Sequence, residues 1–246
     1  MRCAFLFAVG VLACTAVSAT TYFIETNGTV SSMQMVSGSG LSATHVGDTV
    51  KVSFAVETNQ LYPGSDGSTF LEYFDFSPDL QGGIRSHITV GARVFNIDKY
   101  PQAEQFIAEM ENSNILTGPT LPATDLFFVL NSKMQDAILL GAPVLSTPFR
   151  EVFVGLEAAG TSKLVTGPVT NFARNVRPSE ASKRTGVLID GTLEVQSVVD
   201  GISYVGFSAD TAQVFFTLDK VTIHECHKPF AWLIAGAPWP AEVECE

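Results

Sequence analysis

The feature that most restricts the fold is a period of two in the placement of apolar residues. Between Thr49 and Glu57, Val50, Val52, Phe54 and Val56 fall on one side of an extended chain, and Lys51, Ser53 and Glu57 fall on the other. Successive side chains of a strand point to opposite faces, so this run predicts a strand with one face in a core. Gly47-Asp48 just before it predicts a turn. A second alternating run, Ser86 to Ile97, carries Ile88, Val90, Ala92 and Val94, then changes phase at Phe95 and Ile97. A change of phase inside a strand predicts a β-bulge near Val94 or Phe95.

Two Asp-Gly pairs, Asp190-Gly191 and Asp200-Gly201, separate the apolar runs Val187–Ile189, Leu193–Val199 and Ile202–Phe207. Asp-Gly suits tight hairpin turns because both residues tolerate positive φ, so a meander with two such turns is expected. Gln213 to Ile223 alternates at Val214, Phe216 and Leu218, then shifts phase across Asp219-Lys220, a second expected bulge.

The other segments are read more coarsely. Asn59–Thr69 is rich in Gly, Ser, Asp and Pro and reads as a loop. Phe70–Phe76, Leu126–Leu130, Ala137–Leu140 and Phe149–Leu156 read as strands. Gln102–Asn112 stays open. Ala103, Phe106, Ile107 and Met110 fit a helical face, whereas Phe106, Ala108 and Met110 alternate. Thr161–Lys183 reads as a long loop with a short strand near Leu164. About ten to twelve short strands without regularly alternating helices predict an all-β, antiparallel β-sandwich or jelly-roll-like fold, with at most one short helix.

Met1 to Ala19 has a different character. It carries one charge, Arg2, then an apolar run from Ala4 to Ala13, and closes on Val17-Ser18-Ala19. That is the pattern of a secretory signal peptide, too short for a membrane span. The expected organisation is a signal peptide at 1–19, a β-sandwich domain at 20–225 and a disulfide-closed C-terminal tail at 226–246. Cys3 and Cys14 fall in the leader. Cys226 and Cys245 remain, and in an oxidising compartment they are expected to pair. Such a bridge closes a loop of about 20 residues, worth about 3 kcal/mol by chain entropy. A rival reading of Val11-Leu12-Ala13-Cys14 as a lipidation box places an acyl chain on Cys14, but Leu12 fits that box poorly. Asn27-Gly28-Thr29 is an N-glycosylation sequon that has meaning in a eukaryotic host.

Charge excludes one class of partner. The chain has 25 acidic and 14 basic residues and a net charge of −11. Arg2 leaves with the leader, so the exported chain is one unit more acidic. Phosphate backbones repel such a chain, and nucleic-acid binding is not expected. No transmembrane segment is expected either. With charged residues at 16% and 18 Phe, the chain is rich in core material and is no disordered tail.

No Gly-x-Ser-x-Gly elbow or phosphate-binding glycine loop is present. His224, Glu225, Cys226 and His227 superficially resemble a metal cluster, but on a strand His227 points away from His224 and Cys226, and the thiol is expected in a disulfide. Glu72 and Asp75 fall on opposite strand faces, and Asp79 follows them, so they make a poor glycosidase pair. Asp66, with Ser65 and Ser68, offers oxygen ligands for calcium, without the spacing of an EF-hand. Tyr62, Tyr73, Tyr100, Trp232 and Trp239, with Phe74, are candidates for a sugar-stacking platform, since such rings join an apolar face to a polar edge.

The segments Gly47-Asp48-Thr49-Val50-Lys51-Val52-Ser53-Phe54, Tyr73–Phe76 and Ile88-Thr89-Val90-Gly91-Ala92-Arg93-Val94-Phe95, with a polar loop between the first two, carry a resemblance. Together they resemble the opening half of bacterial exported β-sandwich proteins of the PEP-CTERM sorting class. The likeness covers roughly a third of the chain. It implies an exported sandwich with a surface or matrix role, and it carries no catalytic residues. The chain departs from the class at Ala241–Glu246, where that class has Pro-Glu-Pro, an apolar anchor and a basic cluster; sorting by that system is not expected.

The expected function is therefore binding or structural, with a carbohydrate or extracellular matrix polymer as ligand and no required cofactor. The alternatives are a jelly-roll polysaccharide hydrolase or lyase, and a self-assembling surface subunit joined by strand edges.

Overall fold

The computed structural model of the chain describes residues 20–34, 40–57, 62–64, 70–75, 83–97, 105–112, 124–134, 146–160, 163–166, 171–200, 202–227, 230 and 237–245. The strands are β1 (Thr21–Gln34), β2 (Thr49–Glu57), β3 (Tyr62–Gly64), β4 (Phe70–Asp75), β5 (Ile84–Val90), β6 (Arg93–Ile97), β7 (Gln105–Asn112), β8 (Thr124–Met134), β9 (Ser146–Ala159), β10 (Lys183–Val199), β11 (Ile202–Phe207) and β12 (Ala212–Cys226). One short helix, α1 (Phe172–Asn175), is followed by a 3-10 turn at Pro178–Glu180. The chain is all-β and its strand pairs are antiparallel, as the alternation predicts.

The strands form one continuous ladder in the order β3-β4-β7-β8-β9-β10-β12-β1-β2-β5-β6, and β11 pairs on β10. The ladder doubles back, so that β5 and β6 come against β8. Asn131 of β8 donates to Ser86 Oγ of β5 at 2.7 Å and to the Ile97 carbonyl of β6 at 3.2 Å. Arg150 of β9 lies 5.0 Å over the Phe95 ring of β6. The core sits between these two wings. Val50, Val52, Phe54 and Val56 of β2 meet Phe127 and Val129 of β8, Val152, Val154 and Leu156 of β9, and Val214 and Phe216 of β12 in one buried cluster. Each set is one face of a period-two pattern, so burying that face removes the apolar residues from water together.

α1 closes one end of this core. Asn171 caps it by accepting the Arg174 N–H at 3.0 Å. Phe172 then packs 5.1 Å from Tyr22 and 5.7 Å from Phe127. Asp125, buried at the start of β8, accepts the Val165 N–H at 3.1 Å and so holds the connection that leads to α1. Burial raises its pKa.

Several local expectations are corrected. Ser86–Ile97 is two strands joined by a tight turn at Gly91-Ala92, with Val90 opposite Arg93. Gly91 has φ +56°, which only the turn requires. The phase change is therefore a reversal of the chain, and no bulge is needed. Asp190-Gly191 is no turn: β10 runs straight through it. Here β10 exchanges β12 for β11 as its neighbour on one edge while β9 stays on the other, and the β11–β12 connection runs beside Thr192. A Cβ at Gly191 would lie 2.5 Å from Thr211 Cα, so glycine serves close approach of two backbones. Asp190 turns into an ion pair with Arg150, at 2.8 Å to Nε and 2.7 Å to Nη2. The second pair behaves as read, with β10 and β11 a hairpin about Asp200 (φ 50°).

Gln102–Asn112 resolves to strand β7 over Gln105–Asn112, since β4 and β8 flank it with open ladders. The Asn59–Thr69 loop contains the short strand β3. The Thr161–Lys183 loop carries α1 and a bridge between Val165 and Val176. The bulge at Asp219-Lys220 is present: Asn27 pairs with Lys220 and Gly28 with Leu218, which leaves Asp219 as the extra residue. β1 lies between β12 and β2, and its residues show no alternation that predicts a strand. The leader at 1–19 and the strand expected at Ala137–Leu140 lie outside the described residues.

Candidate functional site

Cys226 and Cys245 form a disulfide, with Cα atoms 4.5 Å apart. Cys226 ends β12 on the outer face of the sheet, opposite Thr21. The bridge therefore draws the chain's last residues across the outer faces of β1, β2 and β5. Phe230 enters a small buried cluster with Phe23, Ala55 and Cys226, and Trp239, Val243 and Cys245 pack against it. The Phe230 N–H donates to Glu57 Oε1 at 2.9 Å. Arg85 donates to the Ala237 carbonyl at 2.6 Å. These contacts explain why Ser53, Glu57 and Arg85, polar residues on the face turned away from the core, are nonetheless buried. Burial raises the pKa of Glu57, and the Phe230 N–H lowers it to a lesser extent.

Beside this strap the sheet carries a cleft of about 620 Å³. Its floor is Phe23 and Glu25 of β1, Lys51 and Ser53 of β2, and His87 and Thr89 of β5; residues 239–244 form its wall. Register makes this floor. Phe23 pairs with Ala55, Glu25 with Ser53, and Ser53 with His87, so side chains of three strands share one outward patch. His87 is fixed on two sides. Its Nδ1 lies 2.7 Å from Asn96 Oδ1 on β6, and its ring stacks on Trp239 at 5.2 Å with 20° between planes. Trp239 also lies 6.1 Å from Phe23. Lys51 Nζ pairs with Glu25 Oε1 at 3.1 Å; at the surface such a pair is worth at most about 1 kcal/mol and can reorganise around a ligand.

The row Ser53, His87, Asn96 crosses three adjacent strands and superficially resembles a nucleophile, a base and an orienting amide. Asn96 orients His87, but no hydrogen bond joins His87 to Ser53, and Ser53 is 2% exposed. A nucleophile needs that bond and access to substrate. The arrangement suits contact with a ligand better than acyl transfer.

Of the residues marked from sequence, Trp239 reaches this cleft. The side chains of Tyr62 and Tyr73, and residues Asp66, Tyr100 and Trp232, lie outside the described residues. Asn27 is exposed on β1, two positions along the same face from Glu25. Among the described residues no group of three or more His, Cys, Asp or Glu side chains is placed to hold a metal. No described helix is long and apolar enough to cross a membrane. Sequence reasoning missed Glu25, Lys51 and His87 as neighbours. Each sits on the polar side of an alternating strand, and pairing register alone reveals that they meet. No protein-family model, curated protein or solved structure matches the chain.

Proposed function

We propose that this is an exported, non-catalytic binding protein that takes a segment of carbohydrate polymer in the cleft beneath its disulfide-tied C-terminal strap. The observation that carries this reading is the half-buried Trp239, held by Phe23 and His87 beside Glu25, Lys51 and Thr89. Sugar rings are recognised by a flat apolar surface with hydrogen-bonding groups at its rim, and the cleft supplies both. The disulfide fits an oxidising compartment, in keeping with export through the leader at 1–19.

The test is an array of soluble and immobilised polysaccharides probed with the disulfide-bonded protein, its Trp239→Ala variant and its Lys51→Ala variant. Retention of one polysaccharide class, weakened tenfold or more by Trp239→Ala and measurably by Lys51→Ala, supports the reading. Lys51 is exposed, so its loss leaves the fold intact. Absence of binding to every polymer refutes it. Appearance of new reducing ends or unsaturated products refutes it in favour of a hydrolase or lyase.

A further inference from the structure

Among the described residues three strands pair on one side only: β3, β6 and β11. Unpaired strand edges invite other strands, and proteins ordinarily blunt them with Pro, charge, shortness or a covering group. β3 has three residues, the middle one Pro63. β6 is blunted by Arg93, which donates to the Gly40 carbonyl, and by Asn131, which occupies the Ile97 carbonyl. Among the described residues β11 is touched at its end by one side chain, Gln196 of β10, which donates to the Phe207 carbonyl at 3.4 Å, and carries none of the other devices. Its sequence is Ile202-Ser203-Tyr204-Val205-Gly206-Phe207, without a charge or a proline.

Among the described residues β9 reaches no further than Glu194, and Val195–Val199 pair with β11 alone, as a two-stranded arm. Val198 (61%), Val199 (51%), Tyr204 (52%) and Phe207 (41%) are exposed on it, a concentration of exposed large apolar residues.

We propose that β11 is a self-association edge, and that a second copy of this chain pairs with it antiparallel about a two-fold axis. Charge selects the occupant. The protein carries a net −11 and repels its own copies over most approaches. From Gln196 to Phe207 the single charge is Asp200, at the hairpin tip. Antiparallel pairing puts the two Asp200 carboxylates at opposite ends of a strand about 20 Å long, beyond the screening length at physiological salt. The edge is thus the stretch where like meets like without repulsion. A two-fold contact of β11 with β11 consumes the β11 edge of both copies, so the expected product is a dimer. Two strands of this length bury less than the about 1,000 Å² of a stable interface, so the dimer dissociates on dilution.

The test is sedimentation equilibrium on the full disulfide-bonded chain over a concentration series, with hydrogen exchange at the same concentrations. The expected result is a mass rising towards twice the single-chain value, with amide protection growing in Ser203–Phe207. Tyr204→Lys is expected to hold the mass at one chain at every concentration. Val198→Lys, on the neighbouring strand of the arm, serves if Tyr204→Lys fails to fold. A wild-type mass that never exceeds one chain overturns the proposal. So does a dimer whose β11 amides exchange unchanged, or one that folded lysine variants leave intact. None of these outcomes bears on the cleft, whose test is polysaccharide binding.

Discussion

The disulfide is predicted to hold the strap in place over the sheet, and removing it should release the strap before the sheet unfolds. Cys226 and Cys245 are 19 residues apart in sequence. Closing a loop of that size removes about 11 cal/mol/K from the unfolded chain, or about 3 kcal/mol at 25 °C. Among the described residues of the loop the noncovalent anchors include buried Phe230, the Glu57 bond to its N–H, the Arg85 bond to Ala237, the Trp239 stack and the packing of Val243. Each hydrogen bond contributes about 1 kcal/mol net, while fixing each backbone residue costs about as much or more. The strap of the Cys226→Ala/Cys245→Ala variant should therefore be largely detached. The two tryptophans of the chain, Trp232 and Trp239, both lie between the cysteines. Tryptophan emission reports the strap, and far-ultraviolet circular dichroism reports the sheet. In wild type the two probes should trace one urea transition. In the variant the emission should be red-shifted before denaturant is added, and any remaining emission change should precede the loss of dichroism. The sheet transition should itself move to lower urea, by up to the about 3 kcal/mol above. Coincident transitions with unshifted emission in the variant would refute the reasoning, because the strap would then be held by packing alone.

Three further outcomes follow from the structure. Gly191→Ala should destabilise by about 1–3 kcal/mol in chemical denaturation, because the new methyl meets the Thr211 backbone; a neutral or stabilising change would mean that Thr211 does not approach Gly191 so closely. Asn131→Ala should cost about 2–3 kcal/mol, since it strips partners from Ser86 and the Ile97 carbonyl between the two wings; a cost below experimental error would mean the wings do not meet there. Glu57 has a folded pKa raised by burial, so its contribution is fully present below the unfolded carboxylate pKa and is lost as pH rises through the folded value. Glu57→Gln keeps an acceptor for the Phe230 N–H, and its melting temperature should gain on wild type from mildly acidic to neutral pH; parallel profiles would show that Glu57 is solvated in the folded protein.

Much of the fold was legible because burial of one strand face writes itself locally. Val50, Val52, Phe54 and Val56 announce β2, and the extra residue Asp219 announces a bulge, from nearest neighbours alone. β1 escaped because its outer face is no more polar than its inner one at the start. Phe23 lies under the strap while Tyr22 and Ile24 lie in the core, so Thr21 to Ile24 shows no alternation. The cleft was harder still. Glu25, Lys51 and His87 come from three separate segments, and what joins them is hydrogen-bond register.

By itself the sequence determined which stretches are extended and which side of most of them is apolar, and it pointed to Cys226 and Cys245 as a pair once Cys3 and Cys14 are assigned to a leader. Those are properties of adjacent residues and of a small count of thiols. Tertiary structure decided whether an Asp-Gly pair turns or passes straight on, and that polar Ser53, Glu57 and Arg85 are buried under the returning chain end. It also decided that, among the described residues, β11 pairs with β10 alone. The reason is that alternation records which face of a strand leaves water, but the identity of whatever covers it, or fails to, is set by residues far away along the chain.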